Sequence, residues 1–310
     1  MRRVPLSTTG TTVPNVVLGL MRIQEMSDQE VRTLVGTALD HGIDFFDHAD
    51  VYGSSLHGCE SRFGEAMQLT PSQREKVTLQ SKAGIVREGP YFDFSADHLT
   101  EAVDGTLAAL GTDYLDILLL HRPDALVEPE EVAEAFDALH SAGKVRAFGV
   151  SNHTPGQIEL LRRYVRQPIV ANQVQLSITH APLVAQGVAA NMADLDQSVA
   201  RDTGTLDYCR LHDITLQAWS PIQAGFFTGT FLDSPQFPEL NTVLDRLAAK
   251  YDVTRLAVAI AWITRHPAQM QVVLGTTTPQ RVADAAAGSD VPLTRAEWYE
   301  LFRTAGYAVP

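Results

Sequence analysis

Eight short apolar runs alternate with longer amphipathic stretches along this chain, and that rhythm constrains the fold more than any other feature. Runs that are apolar on both faces belong to strands of a parallel sheet covered by helices, not to the half-exposed strands of a sandwich. The pattern predicts strands at Val16 to Leu20, Ile43 to Asp47, Val77 to Lys82, Leu115 to His121, Ala147 to Ser151, Ile169 to Gln175, Thr215 to Trp219 and Met270 to Leu274. Helix signals fall between them. Ser27 followed by Glu30 reads as a capping box, Gly111 and Gly143 stop helices that end near Leu110 and Ala142, and Pro155 follows Thr154 at a helix start. Pro279 to Ala287 and Thr294 to Thr304 read as two closing helices, and Arg2 to Val13, turning at Thr9-Gly10-Thr11, as a small hairpin. The expected fold is α/β: a (β/α)8 TIM barrel with a short N-terminal hairpin and two closing C-terminal helices, in one domain over residues 1–310. A doubly wound dinucleotide-binding sheet shares the alternation but needs a glycine-rich turn after its first strand. Leu18-Gly19-Leu20-Met21-Arg22 offers one glycine there.

Composition narrows the function. With 24 basic against 37 acidic residues the net charge is -13, and 45% of residues are hydrophobic. That is a globular chain with an acidic surface, which argues against a dedicated nucleic-acid or anionic-membrane binder. No apolar run reaches membrane-spanning length, and no secretory apolar segment follows Met1-Arg2-Arg3. Cys59 and Cys209 are the only cysteines, and free thiols in a reducing cytoplasm are expected, in a monomer or weak homo-oligomer. Two stretches break the rhythm, Ser177 to Arg201 and Gln223 to Glu239, and loops of that length usually have functional reasons. In the second, Phe226, Phe227 and Phe231 alternate with Gly225, Thr228 and Gly229, which suits either a flap over a bound cofactor or a satellite core under a loop.

In a parallel barrel, reactive groups collect where strands end, so polar residues there carry the information. The second strand ends at Asp47 and leads to Tyr52, the third ends at Lys82, and the fourth runs into His121. Taken singly, each has a plainer reading as a surface lysine, a core histidine or a loop aromatic. Taken together they have a chemical use. An ammonium lowers a phenol's pKa, a carboxylate keeps the ammonium charged, and a histidine N–H polarises a carbonyl oxygen that the phenol protonates. His48, His57 and His153 lie near the same mouth without metal-ligand spacing, so no metal is expected.

These residues resemble the aldo-keto reductase family. Phe45-Phe46-Asp47-His48-Ala49-Asp50-Val51-Tyr52-Gly53 is similar to its Asp/Tyr signature, and Gln80-Ser81-Lys82 and Leu119-Leu120-His121 are similar to its lysine and histidine segments. Gly149-Val150-Ser151-Asn152, Asn172-Gln173-Val174-Gln175, Ala218-Trp219-Ser220-Pro221 and Gly275-Thr276-Thr277-Thr278-Pro279-Gln280-Arg281 extend the likeness over nearly the whole chain. The resemblance implies reduction of an aldehyde or ketone, with a small-molecule carbonyl substrate and hydride from a nicotinamide. Tyr52 would be the general acid, Asp47 and Lys82 its tuners, and His121 the group that orients the carbonyl. Ser151, Asn152 and Gln173 would hold the carboxamide, Trp219 would stack on the ring, and Ser220 would join the cofactor contacts. Thr276 and Arg281 would take a 2'-phosphate and Asp284 would sit beside adenine, which makes NADPH the expected cofactor and NADH the alternative. Gly275 and Ala285 depart from the basic residue and asparagine of many members, and Met21-Arg22 replaces a Gly-Thr. Arg22 is open between pyrophosphate, a substrate carboxylate and an ion pair with Asp50. The alternative reading is a nicotinamide-binding regulatory subunit with slow turnover, like the potassium-channel beta subunits. A barrel enzyme using Lys82 as a Schiff base leaves Asp47 and Tyr52 unexplained.

Overall fold

All eight expected strands form and pair in chain order, closing a parallel barrel in the computed structural model of the chain, which describes residues 1–226 and 228–310. They run Val16–Gly19, Phe45–Asp47, Thr78–Ala83, Leu115–Leu120, Val145–Ser151, Ile169–Gln175, Thr215–Trp219 and Gln271–Leu274. Boundaries differ from expectation by a residue or two. The fifth strand begins at Val145, which pairs with Leu115, and the second begins only at Phe45. The fourth stops at Leu120, so His121 is the first residue beyond it, although its N–H still donates to the Ala83 carbonyl at 2.9 Å.

Strand side chains divide between two apolar cores because successive residues face opposite sides. Val16, Leu18, Phe46, Leu79, Leu118 and Leu120 face the helices, whereas Val17, Phe45, Ile117, Leu119, Val170 and Val273 fill the barrel interior. The N-terminal hairpin, Arg3–Pro5 against Thr12–Pro14 with Val4 opposite Val13, adds Val4, Leu6 and Val13 to that inner core. It plugs the bottom, where Thr215 at the start of the seventh strand accepts from the Ser7 N–H at 2.9 Å.

The helix after the first strand, Asp28–Asp40, opens on the reciprocal Ser27 and Glu30 box and buries Val31, Leu34, Val35 and Ala38, one stripe of the helical period. Ala96–Leu110 stops at Gly111, whose φ of 65° is the left-handed conformation glycine adopts without strain. Pro279–Ala287 and Arg295–Thr304 close the chain as expected. Four small elements among the described residues had no counterpart in the sequence reading: the helix Pro71–Arg74, the ribbon of Ile85–Val86 with Tyr91–Phe92, and, inside the stretch read as a loop, the helix Pro182–Val188 and the 3-10 turn Asp196–Ser198. Elements of two to seven residues are too short to show a period. No helix among the described residues is long and apolar enough to cross a membrane.

Candidate active site

At the C-terminal mouth of the barrel, the Lys82 ammonium donates to Asp47 Oδ2 at 2.6 Å, to the His48 carbonyl at 2.8 Å and to the Tyr52 hydroxyl at 3.1 Å. Its three donors are thereby spent, and the side chain is fully buried. Because the Tyr52 oxygen accepts from Lys82, the phenol's own proton remains to be given into the cavity. The imidazole of His121 meets the Tyr52 ring edge-on, 5.7 Å between centroids. The tetrad read from strand ends is thus brought together, as expected.

Electrostatics refine that expectation. Burial pushes the Tyr52 phenol above its ordinary value and Asp47 adds to the rise, while Lys82 and Arg122 oppose it; the net direction is upward. The phenol therefore keeps its proton at neutral pH, and the effect of Lys82 does not dominate. Burial pulls Lys82 down, but Asp47 and Tyr52 outweigh it and hold the ammonium charged. Burial, then Lys82 and Arg122, drive His121 well below the ordinary histidine range, so it is neutral with one N–H to donate.

Beneath the tetrad lies a polar layer that the sequence reading overlooked apart from Gln173. Asp47 Oδ1 accepts from Gln80 Nε2 at 2.6 Å and from Gln173 Nε2 at 3.0 Å. Gln80 and Gln217 exchange two hydrogen bonds, Gln217 donates to Gln271 Oε1 at 2.9 Å, and Gln271 donates to the Pro14 carbonyl at 2.7 Å. Both ends of this chain, a carboxylate and a carbonyl, only accept, so the orientation of every amide between them is determined. Gln80 and Gln217 stand two residues before Lys82 and Trp219, on the same strand face, and that spacing was the available signal.

The mouth opens into a cavity of about 460 Å³ that includes Asp47, Tyr52, His121, Ser151, Asn152, Gln173, Trp219, Ser220, Thr276 and Arg281 in its lining. Asn152 and Ser220, each one residue beyond its neighbour Ser151 or Trp219, adopt φ of 60° and 54°, which turns the chain sharply where these strands end. Asn152 donates to Ser151 Oγ at 2.7 Å and accepts from Trp219 Nε1 at 3.0 Å, which fixes the indole at the wall. With its nitrogen held by Asp47 and Gln217, Gln173 retains Oε1 as an acceptor. A carboxamide needs one such acceptor and one amide donor, and Gln173 and Asn152 supply that pair, so the residues fit a nicotinamide. At the far end Arg281, in the first turn of Pro279–Ala287, is exposed; Asp284 accepts from Gln280 at 2.9 Å and lies outside the lining. Arg22 donates to the Gly275 carbonyl at 2.7 Å and makes no ion pair with Asp50.

Of the irregular stretches, only the second borders the cavity. Gln223 bridges to Thr230, Phe226 meets Trp219 edge-on at 6.2 Å, and Phe231 is buried in the main core against the helices rather than in a satellite core. Phe227 lies outside the described residues. Residues 177–201 do not line this cavity but help line a separate one near Trp298. His48, His57 and His153 sit behind the mouth: His48 is packed edge-on against Phe63, His57 bonds Glu60 at 2.6 Å and His153 stacks on Phe94. Among the described residues no group of three or more His, Cys, Asp or Glu is arranged to hold a metal ion.

A closed parallel barrel with this buried Asp, Lys, Tyr and His cluster beside a cleft suited to nicotinamide fits the class of dinucleotide-dependent oxidoreductases. Residues 15–303 match the aldo/keto reductase family, so the chain belongs to that family and is an NAD(P)H-dependent oxidoreductase that reduces carbonyl compounds. It is 36% identical over 307 residues to the uncharacterized oxidoreductase YcsN of Bacillus subtilis, with 95% of each chain covered. It is 32% identical over 317 residues to a 6-dehydroglucose reductase of Agrobacterium fabrum, with 98% of each covered. A thermostable aldo-keto reductase solved with the inhibitor epalrestat superposes with a TM-score of 0.78 over 98% of this chain and all of that one, at 24% identity, a likeness of fold.

Proposed function

We propose that this chain reduces small polar aldehydes or ketones with NADPH, Tyr52 giving the proton. The observation that carries the proposal is the Lys82 ammonium shared between Asp47 and the Tyr52 oxygen. When bound, the nicotinamide supplies the hydride. Tyr52 holds its proton until negative charge develops on the carbonyl oxygen, and the adjacent Lys82 stabilises the phenolate that remains. Neutral His121 donates to the same oxygen and orients the carbonyl. Asn152 and Gln173 hold the carboxamide, Ser151 braces Asn152, and Trp219 with Ser220 forms the wall on which the ring rests. Thr276 and Arg281 favour a 2'-phosphate, Arg281 with help from the N–H groups of its helix start, and Asp284 stands near the adenine end. The relative named for 6-dehydroglucose supports a polar carbonyl compound as the substrate class.

Aldehyde-dependent oxidation of NADPH tests the reading. The Tyr52→Phe variant should lose roughly hundredfold or more in turnover while binding NADPH as before. Turnover at the wild-type rate would remove the proposed role of Tyr52.

A further inference from the structure

Arg122, next in chain to His121, is a cation in the catalytic cavity that the proposed mechanism leaves without work. Its half-buried guanidinium lies over the Trp219 ring, 5.7 Å from the centroid, and makes no hydrogen bond or ion pair with any described residue. Burial is its main perturbation. The cavity does not neutralise it. Asp47 is the one carboxylate among the described lining residues, and its oxygens already receive Lys82, Gln80 and Gln173. The other two lining arginines differ in setting: Arg22 is tied to the Gly275 carbonyl, and Arg281 stands in the first turn of the helix assigned to the phosphate end. Arg122 therefore presents its free donors at the catalytic end, steadied by an aromatic face, with apolar Met21, Ile85 and Phe226 also lining the cavity.

We propose that Arg122 is a specificity-determining residue that grips a carboxylate or similar planar anion carried by the carbonyl substrate within a few carbons of the reacting centre. The preferred substrate class is then an anionic oxo acid, not a neutral aldehyde. A guanidinium matches a carboxylate with two parallel hydrogen bonds, and charge-assisted bonds are about twice as strong as neutral ones. A hydroxyl offers an acceptor but leaves a partly desolvated charge uncompensated. This inference deepens the reductase reading and rests on it for the word substrate.

Two arms test it. In the first, kcat/KM is measured with NADPH for succinic semialdehyde and glyoxylate against butanal and D-glyceraldehyde. The wild-type chain should favour the carboxylated pair by at least roughly tenfold, and Arg122→Met should reduce that preference about 10- to 100-fold, with Arg122→Lys between. Taking the ratio cancels any influence of Arg122 on Tyr52, which both substrate types feel alike. In the second, calorimetry follows 4-hydroxybutyrate, with 1-butanol as the neutral control, binding to the NADP+-loaded protein. Its affinity should fall by a similar factor in Arg122→Met. A wild-type preference for the neutral aldehydes, or a preference unchanged in Arg122→Met, would overturn the proposal. If no aldehyde is reduced while 4-hydroxybutyrate binding still depends on Arg122, the anion site stands and the reductase reading fails.

Discussion

The four residues that carry the proposed chemistry depend on neighbours that perform none of it. Asp47 can hold Lys82 only while Gln80 and Gln173 keep its other oxygen in place, and Gln80 is held in turn by Gln217. Gln217→Leu strands the acceptors of Gln80 and Gln271 and one donor each of Gln80 and Gln173 in a dry interior, where each unmade bond costs about 1–3 kcal/mol. A loss of several kcal/mol in urea-measured stability is expected, with lower turnover at saturating substrate; stability within about 0.5 kcal/mol of wild type would contradict the layer's structural role. A second buried residue sets a pH dependence. His48 is fully buried, neither ring nitrogen has a partner, and burial with the charge of Lys82 lowers its pKa to about 3. A depressed histidine stabilises the fold above its unfolded value of 6.5, and that contribution is lost as pH falls from there toward 3. Asp50, pushed up to about 7 by burial and Glu60, acts in the opposite sense, its contribution fading as pH rises from 3.8 through 7. His48→Phe, which keeps an aromatic against Phe63, should therefore flatten the fall in melting temperature between pH 6.5 and 4. Parallel curves for variant and wild type would refute this assignment.

At the scale of elements, strand ends do the positioning. Gly19 closes the first strand beside the eighth so tightly that a Cβ there would lie 2.5 Å from the Leu274 carbonyl oxygen and 3.1 Å from Val273 Cγ1. Backbone cannot yield as a flexible side chain does, so Gly19→Ala should cost roughly 1–3 kcal/mol and, because Gly19 lines the cavity, also weaken NADPH binding. An unchanged unfolding midpoint would show that the seam opens freely. Strand order and the tetrad were legible in the sequence because each strand is a continuous apolar run whose interruption is polar. The extra ribbon Ile85–Val86 with Tyr91–Phe92 was not, since two residues have no period and the pair is stabilised by contact across a turn. The same limit hid Pro182–Val188, whose neighbour Ala181 is fixed by the Tyr307 hydroxyl at 2.7 Å, a partner 126 residues away.

For the whole molecule, one cavity joins the first, second, fifth, sixth, seventh and eighth strands and His121 just beyond the fourth, so a ligand there couples most of the barrel. NADPH at a hundredfold excess over its Kd should stabilise the fold by about 2.7 kcal/mol, read as a rise in thermal midpoint. At equal concentration NADH should raise it less, and Arg281→Ala should abolish the difference; a difference that survives the substitution would move phosphate recognition elsewhere. The sequence by itself determined the barrel and the order of its strands, and it singled out Asp47, Tyr52, Lys82 and His121 as polar groups at or just beyond strand ends, because apolar periodicity and its polar interruptions are local properties of the chain. Only the tertiary structure decided that burial outweighs Lys82 at the Tyr52 phenol, that glutamines from three further strands orient Asp47 and Gln173, and that Arg122 is left without a counter-charge. Those outcomes depend on which groups meet across the barrel and how much water they exclude, and distance along a chain encodes neither.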